Sequence, residues 1–128
     1  MKTLVRDRFL ALLWWAMTVV VLLLPGSEHP VGPEWLVRFA ESGGDKLVHG
    51  ILFFGLVVLS VRALRPLGRP RALGVSLTLA ALWAPLSEWL QRTVPYRDAS
   101  LLDLAADVVG LVLATVLVLR GPGPVEPA

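Results

Sequence analysis

The apolar residues of this chain fall into four long runs, separated by short polar or basic connectors. The runs cover about residues 9–24, 46–64, 72–91 and 100–119. A helix of about 20 residues is about 30 Å long, which matches the hydrocarbon core of a bilayer. We therefore predict an all-α polytopic membrane protein, a four-transmembrane-helix bundle that forms a single domain over 1–128. The Pro/Gly-rich segment 121–128 is predicted to be a disordered tail.

The first run is slightly short for a membrane span and follows a basic leader that contains Lys2, Arg6 and Arg8. This combination is also typical of a signal peptide. However, the segment LPGSEHP that ends the run lacks a small-x-small cleavage site, and three further apolar runs follow. We therefore predict that the first run is a retained transmembrane helix.

A polar loop over residues 27–44 separates the first two runs. Within it, Pro33–Ala40 starts with a helix-initiating Pro-Glu pair and places Trp35 near Leu36 and Phe39. Tryptophan is favoured at the boundary between lipid and water. The loop is predicted to contain a short helix lying in the membrane interface, with a simple surface loop as the alternative.

Composition supports the membrane assignment and limits the chemistry. Hydrophobic residues make up 55% of the chain and the mean hydropathy is +0.69, which is high for a soluble domain. There is no cysteine, so disulfides and thiolate metal sites are excluded. The net charge of +2 comes from short basic blocks between apolar runs, which is a topology pattern and does not indicate nucleic-acid binding.

The distribution of basic residues predicts the orientation of the bundle. The leader, the connector Arg62–Arg71 and Arg120 together hold eight of the twelve Lys and Arg residues. The other two loops hold fewer basic residues, diluted by acidic ones. Cytoplasmic loops carry the excess of positive charge. We therefore predict a multi-pass protein of the cell membrane with both termini in the cytoplasm.

Two carboxylates interrupt the fourth apolar run. Asp103 and Asp107 share one helix face with Ser100 and Gly110, because these positions are spaced i, i+3, i+7 and i+10. An ionisable side chain at membrane depth costs about 2.5–3.5 kcal/mol and nearly always faces a bundle interior. The other helices are therefore expected to supply partners for both carboxylates.

Candidate partners occur at the start of the second run and at the end of the third run. In an up-and-down bundle these two positions lie on the same side of the membrane. Asp45 is a candidate helix N-cap and shares a face with His49, and Glu88 shares a face with Gln91. Pro85 interrupts the third run one turn before Glu88 and is expected to kink its helix. The sequence thus predicts a polar pocket in the outer third of the bilayer. The candidate ligand-binding or proton-handling residues are Asp45, Lys46, His49, Glu88, Gln91, Arg97, Asp103 and Asp107.

Three segments in this region resemble the signatures of the VanZ-like membrane proteins. They read DKLVHGILFFGL from Asp45, SEWLQRTVPYRDAS from Ser87 and LLDLAADVVG from Leu101. The family pattern is Asp-Lys-x-x-His, then Glu-x-x-Gln, then Pro-x-Arg, then Asp-x-x-x-Asn-x-x-Gly. The matching residues are Asp45, Lys46, His49, Glu88, Gln91, Pro95, Arg97, Asp103 and Gly110. The chain departs from the pattern at Asp107, where the family more often has Asn.

The resemblance covers about residues 45–110 and implies a role in the cell envelope. The founding member of the family is associated with low-level resistance to teicoplanin, a glycopeptide that acts on the cell wall. A role in glycopeptide resistance is therefore what the resemblance implies for this chain. Asp107 cannot carry a function that requires an amide side chain at this position.

Three functional hypotheses follow from these residues. The first is a pocket that binds an anionic lipid or a lipid-linked envelope precursor. Lys46, His49 and Arg97 contact the anion in this hypothesis. The acids Glu88, Asp103 and Asp107 hold those cations in place or relay a proton. The second is an enzyme that acts on such a headgroup with His49 or an acid as general acid or base, although no catalytic set is recognisable. The third is a structural membrane subunit in a homo-oligomer or with a membrane partner.

No cofactor is predicted and no catalytic residue is assigned. No metal-binding residue is assigned, although Asp, Glu and His side chains could also hold a divalent metal.

Overall fold

The computed structural model describes residues 1–25, 33–97 and 100–121, and all regular secondary structure in these ranges is helical. The predicted all-α class is therefore confirmed for the described residues. The α-helices are α1 (Lys2–Leu23), α2 (Glu34–Phe39), α3 (Asp45–Ala63), α4 (Arg69–Gln91) and α5 (Leu101–Arg120). A π-helical turn, Ala40–Gly44, joins α2 to α3, and a 3-10 turn, Arg65–Leu67, joins α3 to α4.

In the described part of the chain, three helical segments are long and apolar enough to cross a membrane: Ser42–Ala63, Arg69–Gln91 and Leu101–Arg120. Helix α1 is 22 residues long, but charged residues occupy its first two turns. Helix α2 lies where a short helix was predicted. Most of the predicted tail, residues 122–128, lies outside the described residues.

The start of α1 and the continuity of α4 differ from the sequence-based expectation. Helix α1 begins at Lys2 instead of Phe9, so the basic leader is part of the helix. Helix α4 continues through Pro85 to Gln91 and is not interrupted there. A proline in a helix removes one backbone hydrogen bond, and in a membrane bundle neighbouring groups can compensate for it.

Helix α3 is the centre of the bundle and contacts α1, α4 and α5. It contributes Leu52, Phe53, Leu56 and Val57 to the hydrophobic core, each of them at most 4% exposed. Its neighbours present mainly one face to it and leave large apolar side chains exposed on the other. Exposed apolar faces on the outside of such a bundle are expected where lipid is the solvent.

Two tryptophans attach α1 to α3. Trp14 Nε1 donates a hydrogen bond of 2.9 Å to the Leu52 carbonyl, and Trp15 Nε1 donates one of 3.1 Å to Ser60 Oγ. The Trp14 ring lies over Gly55, where a Cβ atom would collide with it. An indole N–H in apolar surroundings needs a partner, and α3 supplies one for each ring.

A buried acid connects the N-terminal part of α1 to the C-terminal end of α3. Asp7 is 3% exposed and lies 3.5 Å from the guanidinium groups of both Arg62 and Arg65, with Arg6 at 3.8 Å. The sequence interpretation overlooked Asp7. Asp7 is the single acidic residue of the basic leader. The basic connector lies at the same end of the bundle, and this combination was the signal for the contact.

The backbones of α3 and α5 approach closely at Gly50 and Gly110. A Cβ atom at Gly110 would clash with the Gly50 carbonyl oxygen and lie 3.0 Å from the backbone nitrogen of Phe54. Glycine at this position lets the two helices come together, as small residues do in membrane helix pairs. This approach brings the polar face of α5 against α3.

We expect Gly110→Ala to lower the free energy of unfolding by about 1–3 kcal/mol, because the added methyl group must push α3 and α5 apart. Thermal unfolding of the full chain in mild detergent measures the change. Gly74→Ala is the matched control, since a Cβ atom at Gly74 would meet nothing within 4 Å. A Gly110→Ala variant as stable as Gly74→Ala would contradict the close approach.

Candidate polar site between three helices

The polar face of α5 points into the bundle, as its spacing predicts. Asp103, Asp107 and Gly110 are buried. Ser100 is the N-cap of α5, and its Oγ accepts a hydrogen bond of 3.1 Å from the backbone N–H of Leu102. The cap starts the helix at Leu101 and gives one of its first backbone N–H groups an acceptor.

His49 is the partner of Asp107. The two side chains are joined by a hydrogen bond of 2.9 Å between His49 Nδ1 and Asp107 Oδ1. His49 is 2% exposed and Asp107 is 0% exposed. Glu88 of α4 faces the same imidazole, with its Oε1 atom 3.9 Å from Nδ1. Residues from α3, α4 and α5 therefore meet around one histidine.

Lys46 forms the second ionic contact of the site. Its Nζ atom lies 3.3 Å from Asp103 Oδ1, which is an ion-pair distance that does not meet hydrogen-bond geometry, and 2.9 Å from Asp45 Oδ2. The expected N-cap role of Asp45 is wrong, because Asp45 is the first helical residue and Gly44 is the cap. Asp45 instead holds Lys46 at the rim of the cluster.

Glu88 links α4 to the start of α5. Its Oε2 atom accepts a hydrogen bond of 3.0 Å from the backbone N–H of Ser100, one of the donors that a helix start leaves without an intrahelical acceptor. Gln91 follows one turn later and is 1% exposed. Both residues of the predicted Glu-x-x-Gln pair are thus buried in the bundle.

Arg97 lies apart from this cluster. Its guanidinium group donates hydrogen bonds of 3.1 Å to the Leu24 carbonyl and 2.8 Å to the Val21 carbonyl. The last carbonyls of a helix have no intrahelical donor, and a cation also complements the dipole at this end. Arg97 thus caps α1, whereas the sequence predicted an anion contact or a partner for an aspartate.

Several buried polar atoms of the site have no hydrogen-bond partner among the described residues. They are Glu88 Oε1, Gln91 Nε2, Asp103 Oδ1 and Asp107 Oδ2. His49, Glu88 and Asp103 each offer one ligand atom within 4.8 Å of the other two, and all three residues are buried. Nitrogen and carboxylate oxygen atoms gathered in this way could coordinate a divalent metal.

Two openings reach the site from the surface of the bundle. A groove of about 350 Å³ runs between α3 and α5 and is lined by apolar residues and, among the residues that the structure describes, by one ionisable side chain, Lys46. A cleft of about 210 Å³ lies between α4 and α5 and is lined in part by Glu88, Arg92 and Ser100. The groove has the character of a site for a hydrocarbon chain, and the cleft has a polar wall.

No protein-family model, no curated protein and no solved structure matches this chain.

We expect substitutions of His49 and Asp107 to have strongly non-additive effects on the free energy of unfolding. His49→Leu or Asp107→Val alone leaves one member of a buried pair without its partner, which costs about 3–5 kcal/mol, whereas the double variant removes both polar groups. The double variant should therefore lose less stability than the sum of the single variants in detergent unfolding. As a control, Thr18→Val, also buried but on α1, should be additive with His49→Leu. Additive effects for both pairs would contradict the coupling.

Proposed function

We propose that this chain is a VanZ-like integral membrane protein that binds an anionic lipid, or a lipid-linked precursor of the cell envelope, at the polar site. In this proposal α1 is a fourth span, α2 lies in the membrane interface and both termini are cytoplasmic. The polar site then opens toward the outer surface of the membrane. A contribution to glycopeptide resistance follows from the family resemblance alone.

The observation that carries the proposal is the groove between α3 and α5. Its wall is formed by Leu47, Ile51, Phe54, Val109 and Leu113, among others, and Lys46 lies in the lining. An acyl chain fits the apolar wall, and an ammonium group at the edge of such a groove can bind a phosphate.

The surrounding residues explain how Lys46 would be held for this task. Asp45 and Asp103 contact its ammonium group from two sides, while the side chain remains 34% exposed. A headgroup can therefore reach Lys46 from the membrane surface. His49 is 2% exposed and Arg97 caps α1, and neither lines the groove, so we assign them supporting roles and not direct contact with the anion.

The residues that carry the family resemblance also support the proposal. Asp45, Lys46, His49, Glu88 and Asp103 come from separate signatures in the sequence and lie in one cluster. A shared site gives a physical reason for signatures that are far apart along the chain. It favours a common binding function over unrelated local roles.

The proposed orientation can be tested because the chain contains no cysteine. Thr93 and Leu67 are both exposed, in the connectors that follow α4 and α3. We expect Thr93→Cys to react with a membrane-impermeant maleimide in intact cells, and Leu67→Cys to react only after permeabilisation. Labelling of Leu67→Cys in intact cells would contradict the orientation.

Lipid binding can be tested by measuring the lipid that remains bound to the purified chain. We expect Lys46→Gln to weaken the binding of anionic lipid about fivefold, since one basic residue contributes ~1 kcal/mol, and Lys46→Arg to restore most of it. Ala106→Phe should also lower retention by filling the groove. Quantitative mass spectrometry of lipids extracted from equal amounts of folded protein gives the measurement.

The control for the groove variant is Ala81→Phe, which adds the same side chain to the exposed surface of α4. This variant should keep the lipid of the wild type. If Lys46→Gln and Ala106→Phe both retain the same amount and the same headgroup classes as Ala81→Phe, the proposal is wrong.

A further inference from the structure

Beyond the lipid, we propose that the polar site binds a divalent transition-metal ion through His49, Glu88 and Asp103. One ligand atom from each residue lies within 4.8 Å of the other two. Ligand atoms that each lie 2.0–2.2 Å from a tetrahedral ion are roughly 3.4 Å apart. The three side chains therefore need only small rotations to close around an ion.

The charge of the cluster favours a cation. Glu88, Asp103 and Asp107 place three carboxyl groups in buried positions, each at most 7% exposed. Among the residues that the structure describes, Lys46 is the one ammonium group within ion-pair distance of this cluster, and it is shared with Asp45. Buried carboxylates need a compensating charge. A divalent ion supplies that charge.

The unpartnered atoms identify where the ion would bind. Glu88 uses Oε2 for the Ser100 N–H, and its other oxygen, Oε1, faces His49 at 3.9 Å without a hydrogen bond. Asp103 Oδ1 also has no hydrogen bond among the described residues, but it lies 3.3 Å from Lys46 Nζ, so an ion would take the place of that ammonium group. Buried carboxylate oxygens near an imidazole that lack hydrogen bonds are candidate metal ligands.

Asp107 is a positioning residue in this arrangement. It bonds to Nδ1 of His49, the same nitrogen that Glu88 Oε1 approaches to 3.9 Å, so an ion bound at Nε2 requires the Glu88 carboxylate to turn toward Nε2. A carboxylate on the other nitrogen of a metal-binding histidine fixes the orientation of the ring and is a common feature of zinc sites. It also gives Asp107 a task that a carboxylate performs well.

The ligand set selects the class of ion. Imidazole favours Zn²⁺, Fe²⁺ and similar ions, whereas Mg²⁺ and Ca²⁺ prefer oxygen ligands alone. Three protein ligands leave a coordination position open. A phosphate oxygen of the lipid headgroup can occupy that position, a step that rests on the proposed function, whereas metal binding itself does not.

The test uses the full-length chain, purified in mild detergent, stripped with chelator and then titrated with Zn²⁺ or Fe²⁺ alone. We expect about one ion per chain by elemental analysis after removal of unbound metal. Excess Mg²⁺ should not displace it. His49→Ala, Glu88→Gln and Asp103→Asn should each lose the ion, and Asp107→Asn should weaken binding about 10–100-fold through His49.

The matched control is Asp7→Asn, which makes the same chemical change at a buried acid outside the site. It should bind metal as the wild type does, and circular dichroism with size-exclusion elution shows which variants are folded. If the folded wild type binds neither ion, or if folded ligand variants bind as Asp7→Asn does, the metal site is refuted. Unchanged affinity in Asp107→Asn would contradict the positioning role.

Metal content and lipid content are measured separately in this experiment. Loss of the ion in the ligand variants with normal lipid retention refutes the phosphate step and leaves the metal site in place. Lipid bound by a chain that takes up no metal refutes the metal site alone.

Discussion

The contact between His49 and Asp107 is the constraint on which the rest of the structure depends. A carboxyl group inside an apolar helix is expensive unless a polar partner reaches it. The partner is on α3, and its imidazole lies 2.9 Å away. This single contact fixes which face of α5 meets α3 and how far the two helices are shifted along each other. Glu88 then completes the contact from α4.

Close packing of the backbone makes that contact possible. Gly110 leaves room for the Gly50 carbonyl, and α3 and α5 approach where any larger residue would separate them. Charged groups and small residues therefore both contribute to the packing of α3 against α5. The small residues bring the helices together, and the polar groups determine their register. The same packing leaves the groove beside Lys46.

The sequence predicted the helices and the cluster because both follow from the cost of placing polar groups in lipid. The spacing of Asp103 and Asp107 required partners, and few polar residues were present at the same depth on other helices. The role of Arg97 was not predictable in this way, since its acceptors are backbone carbonyls of α1 that no side-chain pattern reveals. The burial of Asp7 was not predicted, because Asp7 precedes the first apolar run, whereas α1 begins at Lys2 and carries Asp7 into the bundle.

The most direct test of this account is the proton environment of His49 in a bilayer. The chain has two histidines, so ¹⁵N-histidine labelling with His29→Gln isolates the signals of the His49 ring. In solid-state NMR, we expect a hydrogen-bonded Nδ1 proton that exchanges slowly with water, and a large shift of this signal in Asp107→Asn. A His49 ring that exchanges freely with bulk water and does not respond to Asp107→Asn would contradict the buried pair.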